Sequence, residues 1–207
     1  MRWERLGPAW VLWLELDELP QEAEWLSEAE RELAGRYGHP RRLRQFLAGR
    51  WAVRRLWREV AELEEPVEVI PDPQGRPLLY VSGEALMDWA VSIAHSGSRV
   101  LVALRQGGRL GVDVEGQRPR SGALVSRLLD AEEWELMQRW APEEPILAAW
   151  VLKEAGFKAL GSGLRAPLRN LRLVEEGGRL LLQGVDARLQ AHLMRMDPAF
   201  WAAVAWD

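Results

Sequence analysis

Ala148-Ala149-Trp150-Val151-Leu152-Lys153-Glu154-Ala155 compares with Phe46-Leu47-Ala48-Gly49-Arg50-Trp51-Ala52-Val53 when the second half of the chain is set against the first. Each stretch falls in the second helix of a run that reads strand, helix, helix, then hairpins. The identity is low, but the order of elements makes two similar α/β halves in a pseudo-twofold α+β arrangement the simplest architecture. The halves divide at residues 1–106 and 107–207. Ligand sites favour the seam between such halves.

Outward from these helices, the first half predicts a strand over 9–16, an acidic helix over 21–35 ended by Gly35 and Gly38-His39-Pro40, and a helix over 41–61. In the second helix Leu43, Phe46, Leu47, Val53, Leu56, Trp57 and Val60 recur at three- and four-residue intervals. Strands follow at 67–70 and 78–81 around the turn-rich Pro71–Pro77, then at 89–94 and 99–104. Gly107-Gly108 between two apolar runs reads as a hairpin turn into a strand over 110–115. Helices over 121–139 and 145–160 come next, and strands at 171–174, 180–183, 189–196 and 200–206 finish the chain.

Composition bounds the function. The 207 residues contain no cysteine, which excludes disulfides, thiolate catalysis and Cys-ligated metals. The apolar run Leu6–Leu14 is too short to span a bilayer, so it reads as a buried strand and the protein as cytoplasmic, with no membrane partner. A net charge of −4 argues against a general nucleic-acid binder. Between Arg36 and Arg58 stand eight arginines and no carboxylate, a local anion trap or a solvated face paired with flanking glutamates. Of 27 basic residues only Lys153 and Lys158 are lysine. Lysine is a compact ammonium that can release its proton, unlike arginine, so this stretch is where a point charge or proton donor is expected.

Asp113 and Glu115, in Gly111-Val112-Asp113-Val114-Glu115, lie two apart on a strand and share a face. Like charges this close leave one carboxyl protonated unless a cation intervenes, and such oxygens suit Mg²⁺; an alternating strand with one wet face is the plain alternative. Trp150, Glu154 and Lys158 form one helical stripe, in which Glu154 and Lys158 make an i,i+4 pair. Gly156, costly inside a helix, suggests close approach by backbone or ligand. His95-Ser96 at a strand end is a candidate phosphate contact or a polar turn. His39 reads as a turn residue and His192 as structural. No nucleophile elbow, Walker or Rossmann glycine pattern occurs.

Together these motifs resemble the Sfp-type 4′-phosphopantetheinyl transferases. The family's Gly-[Ile/Val]-Asp-[Ile/Val]-Glu strand is matched by Gly111–Glu115, and its Trp-x-x-Lys-Glu-[Ser/Ala]-x-x-Lys helix by Trp150–Lys158. Ser92–Ser96 matches Ser-x-x-His-Ser, Gly75-Arg76-Pro77 matches Gly-[Lys/Arg]-Pro, and Gly161-Ser162-Gly163-Leu164 also fits. The resemblance implies transfer of phosphopantetheine from coenzyme A to a serine of an apo acyl or peptidyl carrier protein, with release of adenosine 3′,5′-bisphosphate; the two fused halves make a monomer the expected state. It implies Asp113, Glu115 and Glu154 as Mg²⁺ ligands, Glu154 as acceptor of the serine proton, and Lys158 as donor to the leaving group and contact to coenzyme A. Arg76, His95 and Ser96 would hold coenzyme A with Arg44 and Gln45, and Lys153 would meet a phosphate or the carrier. Glu30 and Leu33 stand where some relatives place lysines for the 3′-phosphate, with Arg31 or Arg36 as substitutes. Residues 117–129 would face the carrier helix. A non-catalytic coenzyme A binder and an unrelated Mg²⁺-dependent phosphohydrolase are the rival readings.

Overall fold

The computed structural model describes residues 2–61, 65–117, 125, 127–161 and 167–207. The chain divides into two compact units, Met1–Gly108 and Arg109–Asp207. The first contains β1 (Arg2–Leu6), β2 (Ala9–Glu15), α1 (Glu28–Ala34), α2 (Pro40–Val60), β3 (Glu68–Pro71), β4 (Pro77–Val81), β5 (Glu84–Ala85), β6 (Trp89–Ser96) and β7 (Arg99–Gln106). The second contains β8 (Leu110–Gly116), α3 (Ala131–Trp140), α4 (Pro145–Ala159), β9 (Arg172–Glu176), β10 (Arg179–Gln183), β11 (Arg188–Asp197) and β12 (Phe200–Trp206).

With β1 and the two-residue β5 set aside, both units run strand, helix, helix, four strands. In the second unit these strands make one antiparallel sheet ordered β8-β12-β11-β10-β9. In the first the same succession is broken: β1-β2-β7-β6 form one sheet and β3-β4-β5 another. In each unit the opening strand pairs with the closing one, β2 with β7 and β8 with β12. The class is α+β, as the motifs imply.

Each unit has its own core. Val53, Leu56 and Trp57 of α2 pack with Leu12, Leu14, Val100, Val102 and Leu104. Leu147, Ala148, Val151, Leu152 and Ala155 of α4 pack with Leu173, Leu182, Leu189, Ala203 and Ala205. Among the described residues no helix is long and apolar enough to cross a membrane.

Three sequence expectations are corrected. The acidic helix does not begin at residue 21 but at Glu28, because Ser27 and Glu30 form a capping box: Ser27 Oγ accepts from Glu30 N (3.2 Å) and Glu30 Oε2 accepts from Ser27 N (3.1 Å). The helix expected over 121–139 is interrupted: residues 125, 127 and 128 are helical, the helix breaks at Leu129-Asp130, and α3 starts after the capping box Asp130-x-x-Glu133. Residues 121–124 and 126 of the expected helix, and residues 118–120 of the stretch expected to face the carrier, lie outside the described residues, as do Ser162, Gly163 and Leu164. Gly107-Gly108, both at positive φ, makes no hairpin. β7 is flanked by β2 and β6, so neither of its edges is open to β8, and the diglycine links the two units instead.

The two capping boxes anchor a duplicated device. In the first unit Glu30, fully buried, accepts from Val69 N of β3 (3.0 Å) and from both terminal nitrogens of Arg54 on α2. In the second, Glu133 accepts from Leu173 N of β9 (2.8 Å) and pairs with Lys153 of α4 (2.7 Å). A buried carboxylate thus ties the start of the first helix, a strand and a cation on the second helix in each half. The 25 arginines and two lysines obscure this correspondence, because one half uses Arg and the other Lys.

Candidate active site

β8 and α4 approach more closely than side chains permit. A Cβ at Gly111 would lie 1.9 Å from the Ala155 carbonyl oxygen and 2.4 Å from Ala159 N, so only glycine allows the contact. By alternation Gly111, Asp113 and Glu115 face α4, while Val112 and Val114 are buried on the other side of the sheet. The strand therefore has no wet face, and Asp113 is only 7% exposed. Gly156 serves a related purpose: a Cβ there would come within 2.8 Å of Leu171 and Leu182, so it admits apolar packing and no ligand.

Helix α4 is apolar nearly all round and buried from Leu147 to Phe157 except at Trp150. Trp150, Glu154 and Lys158 mark the side on which the helix emerges. Lys158 Nζ donates to Asp113 Oδ1 (2.8 Å) and to the Val112 carbonyl (3.0 Å). Burial raises the Asp113 pKa above the ordinary carboxyl range, the Lys158 ammonium opposes that rise, and Glu115 adds to it. Glu154 is as buried as Asp113, and Glu115 is half-buried.

The donor chemistry fits a hard divalent ion. Asp113 Oδ2 is a buried oxygen with no hydrogen-bond partner, and Glu115 follows on the same face. The gathering of Asp113, Glu115 and Glu154 into a ready-made triad is not seen: among the described residues no three carboxylate or imidazole groups are placed to hold one ion. Asp113 is instead neutralised by the Lys158 ammonium. Lys153, expected at a phosphate or at the carrier, is corrected outright. It is fully buried and bonded to Glu133 and to the Leu128 carbonyl (2.5 Å), and burial lowers its pKa against the opposing pull of Glu133.

In the first unit, Gln45 Nε2 donates to the Gly97 carbonyl (3.2 Å), which brings the start of α2 to the β6–β7 turn after His95 and Ser96. His95 is exposed and Ser96 buried. Arg44, exposed, donates to the Leu16 carbonyl (2.7 Å), and Leu16 N donates to the Ser98 carbonyl (2.8 Å), so both residues belong to this corner. Arg76 is bound within its own turn to Asp72 (3.3 Å). The arginine block is divided: Arg54 is taken by Glu30, Arg50 stacks on the Phe46 ring with its pKa lowered by burial to about 10, and Arg41, Arg42 and Arg58 remain exposed. Glu30 is core and faces no ligand; Arg31 is bonded to the Leu26 carbonyl (2.6 Å), while Arg36 is exposed. His39 caps α2, its Nδ1 accepting from Arg41 N (3.2 Å), and His192 is an exposed strand residue, not a structural one.

Residues 109–194 match the family model described as the 4′-phosphopantetheinyl transferase superfamily. A Synechocystis sp. protein bearing a provisional 4′-phosphopantetheinyl transferase name is 29% identical over 196 residues, covering 87% of this chain and 79% of that protein. The human L-aminoadipate-semialdehyde dehydrogenase-phosphopantetheinyl transferase is 26% identical over 172 residues, covering 74% of this chain and 56% of the relative. The Nostoc sp. 4′-phosphopantetheinyl transferase HetI is 29% identical over 147 residues, covering 67% and 61%. The chain thus spans little more than half of the human relative's length. Thermotoga maritima holo-[acyl-carrier-protein] synthase aligns structurally with a TM-score of 0.40 and 26% identity, over 48% of this chain and 62% of that one. The β8 and α4 motifs both fall within residues 109–194, the segment similar to the 4′-phosphopantetheinyl transferase superfamily.

Proposed function

We propose that the chain transfers the 4′-phosphopantetheine arm of coenzyme A to a serine hydroxyl of an apo acyl or peptidyl carrier protein, with Mg²⁺, releasing adenosine 3′,5′-bisphosphate. The observation that carries this reading is the Asp113–Lys158 contact between β8 and α4, inside the matched segment, with Glu115 on the same strand and Glu154 on the same helix. Phosphoryl transfer needs little covalent help; it needs alignment and neutralisation of charge on the transferring group. Asp113, Glu115 and Glu154 would hold Mg²⁺, which when bound supplies the positive charge that a diphosphate requires.

The side chains supply the proton steps. Glu154 accepts the proton of the serine oxygen as that oxygen attacks the pantetheine-side phosphorus. Lys158, released from Asp113, donates to the bridging oxygen as the bond to the bisphosphate breaks. Its compact ammonium suits this better than a guanidinium, which holds its protons. Arg44, Gln45, Arg76, His95 and Ser96 would grip the 3′-phosphate, with exposed arginines of α2 adding attraction for a polyanion.

The test is to incubate the protein with coenzyme A, Mg²⁺ and an apo carrier protein and weigh the carrier. A gain of one phosphopantetheine arm is expected. No gain on several carriers, with coenzyme A still bound, would favour a non-catalytic binding member of the family.

A further inference from the structure

The duplicated clamp differs between the halves in what adjoins its cation. In the first unit Arg54 meets both oxygens of Glu30 with its two terminal nitrogens. In the second, Lys153 divides its donors between Glu133 and the Leu128 carbonyl, and its neighbour in the chain is Glu154. We propose that Lys153 is a positioning residue for the transfer reaction: gripped by Glu133 and Leu128, it fixes the rotation of α4 and so the placement of Glu154 and Lys158 against β8. This rests on the transferase reading above.

Toward β8 the helix is held by the Gly111–Ala155 approach and the Lys158 bonds, and Lys153 adds a second, buried polar anchor through Glu133 and Leu128. An ordinary surface helix is oriented by an apolar stripe, but α4 is apolar nearly all round and contributes small residues, Ala148, Ala149, Ala155 and Gly156, to the core. A helix with side chains has a radius of about 5–6 Å, so a turn of roughly 20° would carry the Glu154 carboxylate by about 2 Å. Lys153 is the one cation on the wholly buried side of this helix. Its anchors are rigid, since Glu133 is also held by the amides of Asp130 (2.9 Å) and Leu173 (2.8 Å).

The choice of lysine in a chain of 25 arginines agrees with this role. Lys153 has two acceptors, Glu133 Oε1, which it shares with the Leu173 amide, and the Leu128 carbonyl. A guanidinium brings five donors in a fixed fork and would be left unsatisfied at full burial. Lysine fits two acceptors at independent angles.

The test compares two matched double variants and one single variant. Glu133→Gln with Lys153→Met removes both charges of the second clamp without stranding either; Glu30→Gln with Arg54→Met does the same in the first. Lys153→Arg keeps the charge and loses the fit. Unfolding temperature, kcat, and KM for coenzyme A and for an apo carrier are measured on each. Both double variants should lose thermal stability, but only the second-unit variant and Lys153→Arg should lose kcat, by about tenfold to 10²-fold, with KM for coenzyme A held within about threefold. The proposal is overturned if Lys153→Arg keeps wild-type kcat, or if the two double variants lose kcat alike, as a merely structural clamp requires. Should the second-unit double variant fail to fold, Lys153→Arg decides. A wild-type protein that modifies no carrier sinks the transferase reading itself, a result distinct from an active wild type indifferent to Lys153.

Discussion

Gly111→Ala tests the contact on which the site is built. The added Cβ would sit 1.9 Å from the Ala155 oxygen, against a floor of 3.0 Å for real contacts, so β8 and α4 must separate by about 1.1 Å. Both opposing atoms, Ala155 O and Ala159 N, are backbone, and no rotamer change relieves them. Overpacking costs typically ~1–3 kcal/mol, and a backbone clash belongs at the upper end. Taking ~3 kcal/mol, a cooperative chain of this size should melt roughly 6–12 °C lower. Gly49→Ala is the control. Its Cβ would meet Ile93 Cγ2 at 3.0 Å, a side chain able to yield, and alanine gains about 1 kcal/mol in helix propensity. Thermal unfolding followed by circular dichroism should show Gly49→Ala near wild type and Gly111→Ala far below it. Separation of α4 from β8 also breaks the Lys158–Asp113 contact, so transfer should fall in whatever folded protein remains. Equal melting temperatures for the two variants would refute the reasoning.

Asp113→Asn should stabilise the protein at neutral pH. Because burial raises the Asp113 pKa, the native state holds that proton more tightly than the unfolded chain does. Stability from this group is therefore complete below the ordinary range near pH ~4 and is lost as pH rises through the elevated value. The variant's advantage should vanish in acid, and melting curves across pH check it; transfer by this variant, and by Asp113→Ala, should be abolished. Lys158→Met should bind Mn²⁺ more tightly, since the ammonium competes for Asp113. A charged hydrogen bond of ~1.5–3 kcal/mol corresponds to roughly tenfold or more, readable by electron paramagnetic resonance, and weaker binding would deny the competition. Lys158→Arg should slow turnover far more than it weakens coenzyme A binding measured calorimetrically. Glu30→Ala leaves Arg54 buried without its carboxylate and should cost ~3–5 kcal/mol in denaturant unfolding, while Glu32→Ala, on an exposed position, should cost little.

Much of this was legible in the residues. Strand alternation placed Asp113 and Glu115 on one face, and helical spacing aligned Trp150, Glu154 and Lys158; both follow from local geometry, which sequence carries. The close helix–strand contact explains why glycine opens the β8 motif, but no local rule announces a carbonyl lying opposite. Lys153 reads differently in sequence and in structure: a charged residue beside a candidate catalytic glutamate suggests solvent or ligand, whereas its partner Glu133 lies twenty residues away. A signal was present: Ser27-x-x-Glu30 and Asp130-x-x-Glu133 are capping boxes, each fixing a helix start and a buried carboxylate. The diglycine misled for a different reason. Turn chemistry states that the chain can reverse, while pairing depends on a free strand edge, and β7 has none.

Because β8 and β12 pair along their whole length, residue 109 and residue 207 meet: the Arg109 amide donates to the Asp207 carboxylate at 2.8 Å. A short peptide joining those two positions, with new ends opened at Gly177-Gly178 between β9 and β10, would recut the second unit as a circular permutant. Every strand would keep its neighbours, since the opened turn carries only the hairpin reversal. The route the backbone takes through this half is thus separable from the architecture it builds, which leaves the order of its segments open to rearrangement by a protein engineer.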